Sequence, residues 1–212
     1  MKIFSKRTMR NILFCTLILF SVGASAQVQL GLKLAPVIVS NRADNDSLTA
    51  KNDGSVVKMS IGLIADNAFA DNYMLSTGLI YVPKRSAFRD SRLGTMEEYK
   101  VQYLQIPLTV KLFTNELAPD LKVYFQVGGA LEIKVFDEPL DPTYTLIEKF
   151  NPVDIPVILA AGIELRAGLS TTIFAAFSYQ RGLTNVVKTS DATIDDLAIR
   201  STVVSLDFGV KF

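Results

Sequence analysis

The sequence predicts an all-β fold: an eight-stranded antiparallel up-and-down transmembrane β-barrel, preceded by a cleaved signal peptide. Three observations carry this prediction. Apolar residues recur with period two in eight separate segments, the signature of strands with one apolar face. Charge avoids that face and collects on the opposite one. The connections between the segments alternate long and short along the chain. Composition bounds what such a chain can be. Its 212 residues are 49% apolar and 20% charged, with one cysteine, no histidine and no tryptophan. That is one domain plus a short processing segment, too apolar for disorder. A chain without histidine builds no Ser-His-Asp triad or Cys-His nucleophile, and loses most zinc, copper and haem sites. A formal charge of +1 gives no footprint for nucleic acid.

Residues 1–26 read as an export signal. Lys2, Lys6, Arg7 and Arg10 form a basic start, and no acidic residue precedes Asp44. The run Ile12 to Ala24 is almost wholly apolar, and Ala24-Ser25-Ala26 is a small-x-small cleavage site, so the mature chain starts at Gln27. The apolar run is too short for the roughly 20 residues of a membrane-crossing helix. Phe14 stands before Cys15 where a lipoprotein signal wants a small residue. Residues 27–212 carry 18 basic and 21 acidic residues, a net of −3, and no cysteine. Their stability therefore rests on sheet closure and packing rather than on disulfides.

The eight segments are 28–34, 57–65, 73–81, 104–112, 123–135, 155–165, 171–179 and 202–212. The first alternates Leu30, Leu32 and Leu34 with Gln29, Gly31 and Lys33; the second places Val57, Met59, Ile61 and Leu63 on one face. Leu75 to Tyr81 and Leu104 to Leu112 repeat the pattern, and Val123 to Val135 is its longest run. Ile155 to Leu165, Ile173 to Tyr179 and Thr202 to Phe212 complete the set, most of them near the 9–11 residues of a tilted membrane-crossing strand. No charge lies on the apolar face of any segment. The other face holds six cations, Lys33, Lys58, Lys111, Lys134, Arg166 and Lys211, and five anions, Asp66, Glu132, Asp154, Glu164 and Asp207. A Lys or Arg at the lipid midplane costs roughly 2–4 kcal/mol, pressure enough to empty a lipid-facing surface. Eight strands enclose a lumen just wide enough for side chains, so the eleven charges are expected to pair there as a structural network.

A soluble lipocalin-like barrel also alternates, with the apolar face inward, so alternation alone leaves both orientations open. Connection lengths favour the membrane. The long gaps are 41–55, 86–98, 138–152 and 182–199, and the short ones 66–72, 114–120 and 167–170. In a meander this puts all long loops at one end and all short turns, with both termini, at the other, the pattern of outer-membrane barrels. A sparse aromatic girdle follows the same geometry, with Phe69, Tyr73 and Phe212 at the turn end and Tyr81 and Tyr179 at the loop end. The chain ends on Phe212, with Val210 and Phe208 at alternate places before it. Such a last strand is the signal that barrel-insertion machinery reads by strand addition.

Several stretches resemble the PorT-like outer-membrane β-barrel domains of Gram-negative bacteria. They are Leu30-Gly31-Leu32-Lys33, Tyr103-Leu104-Gln105-Ile106-Pro107-Leu108 with Lys111, and Tyr179-Gln180-Arg181-Gly182-Leu183-Thr184-Asn185-Val186. The likeness spans 27–212 and departs at Tyr81-Val82-Pro83-Lys84. It implies an eight-stranded barrel in the outer membrane and little about activity. Pro107 and Pro156 fall within strands and face inward on the assigned alternation, where a bulge or kink is expected. Adjacent acids Glu97-Glu98 and Asp195-Asp196 sit in long loops, where neighbours on a solvated segment point apart.

The expected function is that of an outer-membrane protein with a filled lumen, in a structural or interaction role through its extracellular loops, accessory to an envelope or secretion complex. No enzymatic activity, cofactor or metal is expected. The expected partners are outer-membrane lipid and lipopolysaccharide, the barrel-insertion machinery and an unidentified envelope protein, with the chain itself a monomer. Two alternatives stay open at this point: a narrow ion or small-solute channel, and a soluble periplasmic ligand-binding barrel.

Overall fold

In the computed structural model the period-two segments become long antiparallel strands. Residues 28–43, 57–89, 96–139, 147–184, 187–189 and 199–212 are described; the expected signal peptide lies outside them. The strands are β1 (Val28–Ala43), β2 (Val57–Ala70), β3 (Tyr73–Arg89), β4 (Met96–Phe113), β5 (Leu121–Pro139), β6 (Ile147–Phe150), β7 (Val153–Asp154), β8 (Pro156–Arg166), β9 (Thr172–Gly182), β10 (Val187–Thr189) and β11 (Ile199–Lys211). The sheet runs β4-β3-β2-β1-β11-β9-β8-β5, and pairing of β4 with β5 closes it. The short β7 extends β8 across a one-residue break at Ile155, so the barrel has eight antiparallel staves. Closure leaves the barrel wall without an open edge, which is what lets strands live in lipid.

Both chain ends of the barrel lie at the turn end. Gly31 pairs with Lys211, Val28 with Asn67, and the Phe212 amide donates to the Leu30 carbonyl. The turns at 71–72, 114–120 and 167–171 gather there too. In the second of these Asp120 takes a positive φ of 61°, a conformation that a short polar side chain tolerates. The alternation is as the sequence predicts. Leu30, Leu32, Leu63, Leu108, Phe125, Leu159 and Phe177 are exposed on the outer wall, while Asp66, Lys111, Glu132, Asp154 and Lys211 are buried within. Phe69 and Tyr73 lie side by side with tilted rings 6.1 Å apart between centroids, at the turn end with the exposed Phe212.

Beyond the lipid belt the strands outrun the sequence reading. The expected long loop 86–98 is largely hairpin, for β3 and β4 pair out to Arg89 opposite Met96. A second ribbon, β6 with β10, forms within the expected loops 138–152 and 182–199. The reason is physical: where water bathes both faces, a ladder needs no apolar alternation, so the sequence signal vanishes while the backbone pairing continues. Strand β5, at 19 residues, spans about 65 Å, well over what a tilted crossing requires.

The prolines interrupt ladders without moving register, so the expected bulge forms at neither of them. Between β3 and β4, Thr77 faces Leu108 and Ile80 faces Gln105, with the two intervening positions unpaired at Pro107. The Thr77 hydroxyl instead donates to the Pro107 carbonyl at 2.8 Å. Between β5 and the β7–β8 stave, pairing stops above Gly129–Val157 and resumes at Glu132–Asp154, spanning Pro156. A missing N–H explains both gaps. The bulge lies elsewhere, on β5 at Val135, where Gln102 pairs with Phe136 and Tyr103 with Lys134.

Glycine lets β4 and β5 approach closely. A Cβ on Gly128 would collide with the Leu108 carbonyl oxygen and stand 2.6 Å from Thr109 Cα, both backbone atoms of the facing strand. Gly128→Ala should therefore cost about 1–3 kcal/mol. A lowered unfolding midpoint in detergent micelles checks this; an unchanged midpoint would show that the strands separate freely.

Candidate functional site

The lumen is filled by three clusters of charge and amide. Near the turn end, Lys111 and Lys211 sit between Asp66 and Glu164. Lys111 Nζ is 2.7 Å from Asp66 and 3.4 Å from Glu164. Lys211 Nζ is 2.9 Å from Asp66 and 2.7 Å from Glu164. Each residue comes from a different strand, β2, β4, β8 or β11, so the ring ties four staves together. The Ser76 hydroxyl donates to Asp66, and Lys111 Nζ also stands 4.9 Å over the Tyr124 ring. Two cations and two anions leave the ring neutral, the condition under which burying charge is bearable.

One strand further round, Lys33 on β1 pairs with Asp207 on β11, and the Ser205 hydroxyl donates to Asp207 at 2.7 Å. Toward the loop end, Lys84 pairs with Glu132 and donates to the Ser201 hydroxyl at 3.2 Å. Gln105 donates to Glu132 at 2.9 Å and to the Gln180 side-chain oxygen at 2.7 Å, and Lys84 Nζ stands 4.7 Å over the Tyr103 ring. Ala35, Val37, Val39 and Val203 form a buried apolar patch of the inner wall.

Seven of the eleven expected network residues, Lys33, Asp66, Lys111, Glu132, Glu164, Asp207 and Lys211, join ion pairs inside the lumen. Four depart from the expectation. Arg166 is the last residue of β8, is exposed, and lines a shallow 70 Å³ pocket at the turn-end mouth with Glu116 and Asp120. Lys58 is half-buried near the outer start of β2 and pairs with none of the described carboxylates. Lys134, beside the bulge, turns to Asp137 at 2.8 Å, above the network. Asp154 is buried without a described cation: its Oδ1 accepts from the Thr184 hydroxyl and the Ile155 amide. Conversely, Lys84 is a network residue that the charge count passes over, because the strand was read as ending at Tyr81. Gln105 and Gln180 were missed because a tally of charges skips neutral amides.

A cavity of about 30 Å³ remains among Lys33, Ser76, Gln105, Lys111, Gln180 and Asp207. A water needs roughly 10–15 Å³, so this space takes one or two waters and no solute. Among the described residues no three His, Cys, Asp or Glu side chains are grouped to hold a metal. Glu97 and Glu98 are successive positions on paired β4, and Asp195 and Asp196 lie outside the described residues. The last-strand residues Phe208 and Phe212 are exposed on the outer wall of β11 and its end, with Val210 half-buried between them.

A family model described as an outer membrane protein beta-barrel domain matches residues 21–188. No curated protein matches the chain in sequence. Among solved structures it resembles Neisserial surface protein A, at 13% identity and a TM-score of 0.53, over 89% of this chain and 99% of that one. It also resembles the outer membrane protein OprG of Pseudomonas aeruginosa, at 13% identity and a TM-score of 0.56, over 87% of this chain and 96% of that one. At such identities these likenesses establish the shared barrel fold and nothing finer.

Proposed function

The chain belongs to the outer membrane protein beta-barrel domain family and resides in the outer membrane, and from that premise we propose that it is a closed, non-conducting barrel acting through its extracellular loops. In this reading it is a structural or interaction protein of the envelope, monomeric in itself and accessory to a larger assembly. One observation supports this best: the lumen is crossed by side-chain ion pairs and amides at successive levels, and the cavity among them holds only about 30 Å³. A hydrated ion crossing it would have to break buried pairs whose partners then stay uncompensated, at several kcal/mol each. The apolar outer wall rules against a soluble ligand-binding barrel, which needs the reverse orientation.

The motifs at Leu30–Lys33, Tyr103–Lys111 and Tyr179–Val186 support placing it with the PorT-like barrels. Chemistry is not part of the proposal, for a chain without histidine lacks the usual general base. The exposed Phe208 and Phe212 on the last strand suit recognition by the insertion machinery.

Planar-bilayer recording tests the reading. Purified wild-type barrel should give no stepwise current. Defined conductance steps that vanish when the protein is heat-denatured would replace it with the channel alternative.

A further inference from the structure

The three lumen clusters are not equal in charge. The turn-end ring is neutral and so is the Lys33–Asp207 pair, but the loop-end cluster sets one lysine, Lys84, against two buried carboxylates, Glu132 and Asp154. Glu132 and Asp154 are direct partners across the β5–β7 ladder, where like charges repel. Lys84 is already committed to Glu132 and Ser201. Two polar atoms are then left over. Asp154 Oδ2 and the Tyr103 hydroxyl are both buried with no hydrogen-bond partner among the described residues, in residues only 1% exposed. Tyr103 is within electrostatic reach of both carboxylates. Both oxygens of Asp154 lie close against Gly182, which has no side chain to displace them: a Cβ there would stand 2.8 Å from Asp154 Oδ2 and 3.3 Å from the Ser201 carbonyl oxygen, so these two oxygens face the same point of β9.

We propose that this point is a binding site for one alkali metal cation, held by Asp154 with the Ser201 carbonyl, Glu132 and the Tyr103 hydroxyl as surrounding oxygens. Oxygen donors alone select a hard cation. The local charge decides between one and two positive charges. Lys84, Glu132 and Asp154 sum to −1, so a monovalent ion brings neutrality, whereas a divalent ion would leave an excess charge beside an ammonium. The ion would relieve the repulsion across a seam that the Pro156 gap already weakens, and so lock the outer half of the lumen.

The test is thermal unfolding of the full-length barrel in nonionic detergent at constant ionic strength, with choline chloride replaced stepwise by sodium or potassium chloride. The wild-type midpoint should rise and saturate, as for any ligand that binds only the folded state. Tyr103→Phe should need several-fold more cation for half the effect. Asp154→Asn keeps shape and volume, removes the uncompensated charge, and should be more stable than wild type in choline and indifferent to the metal ions. Any of four results overturns the proposal: a midpoint blind to ion identity, an equal response in Asp154→Asn, a response to calcium alone, or stabilisation only on lowering the pH, which would assign the place to a proton.

Discussion

Replacing Lys111 with methionine destabilises the barrel by about 3–5 kcal/mol, the cost of leaving a buried charge without its partner. The argument starts from the neutral turn-end ring. Without Lys111, Asp66 and Glu164 share one ammonium, Lys211, whose distances of 2.9 and 2.7 Å already engage it fully. Little solvent is at hand to screen the surplus on the fully buried Asp66: the cavity beside Lys111 takes one or two waters, and it is Glu164 that borders the pocket at the turn-end mouth. Methionine fills much of the vacated volume, so the loss is electrostatic more than steric. Adding Asp66→Asn restores neutrality and leaves the intact Lys211–Glu164 pair, so the double variant should be more stable than Lys111→Met alone. Lys122→Met is the control. Its pair with Glu116 spans 3.9 Å at the exposed turn-end mouth and should be worth no more than about 1 kcal/mol. Denaturant unfolding of barrels refolded into liposomes measures all three. A Lys111→Met loss no larger than that of Lys122→Met would mean the lumen is wet and the ring screened.

The difference between these two lysines was only partly legible in the sequence. Parity of position gave the face of every strand inside the lipid belt, and with it seven residues of the network. It failed where the regular ladder ends or slips. Arg166 has the inward parity of Glu164, yet as the last residue of β8 it leaves the lumen at the mouth. Lys134 keeps its inward position but pairs with Asp137, because one extra residue puts Val135 and Phe136 both on the outside and returns the strand to the inner face at Asp137. Lys84 was hidden for the opposite reason. The third apolar segment stops at Tyr81, but Pro83 still faces Gln102 across the β3–β4 ladder, and the strand runs on to Arg89. The stretch Tyr81–Lys84 thus supplies the cation of the loop-end cluster. Asp154 was found by parity but not its isolation, since partner choice depends on which long side chains reach across the lumen.

Leucine to arginine at position 63 is the substitution that tests the orientation of the whole wall. Leu63 is exposed on β2, midway along the outward series from Val57 to Phe69, and its neighbours across the ladders are Leu32 and Leu79. In lipid this is the midplane, and an arginine there should cost about 2–4 kcal/mol. Val57→Arg, at the outer end of the same series, should cost only about 0–1 kcal/mol, because the side chain reaches the interface. In water the two positions would be equivalent: both side chains are already exposed, and a surface substitution stays within about 0.5 kcal/mol. The depth dependence is therefore the decisive quantity, since no soluble barrel can produce a gradient along an exposed face. Unfolding free energies in liposomes that are equal for Leu63→Arg and Val57→Arg would remove the bilayer from the account. With it would go the reason for a charged interior, because a wall that faces water has no need to hide its charges.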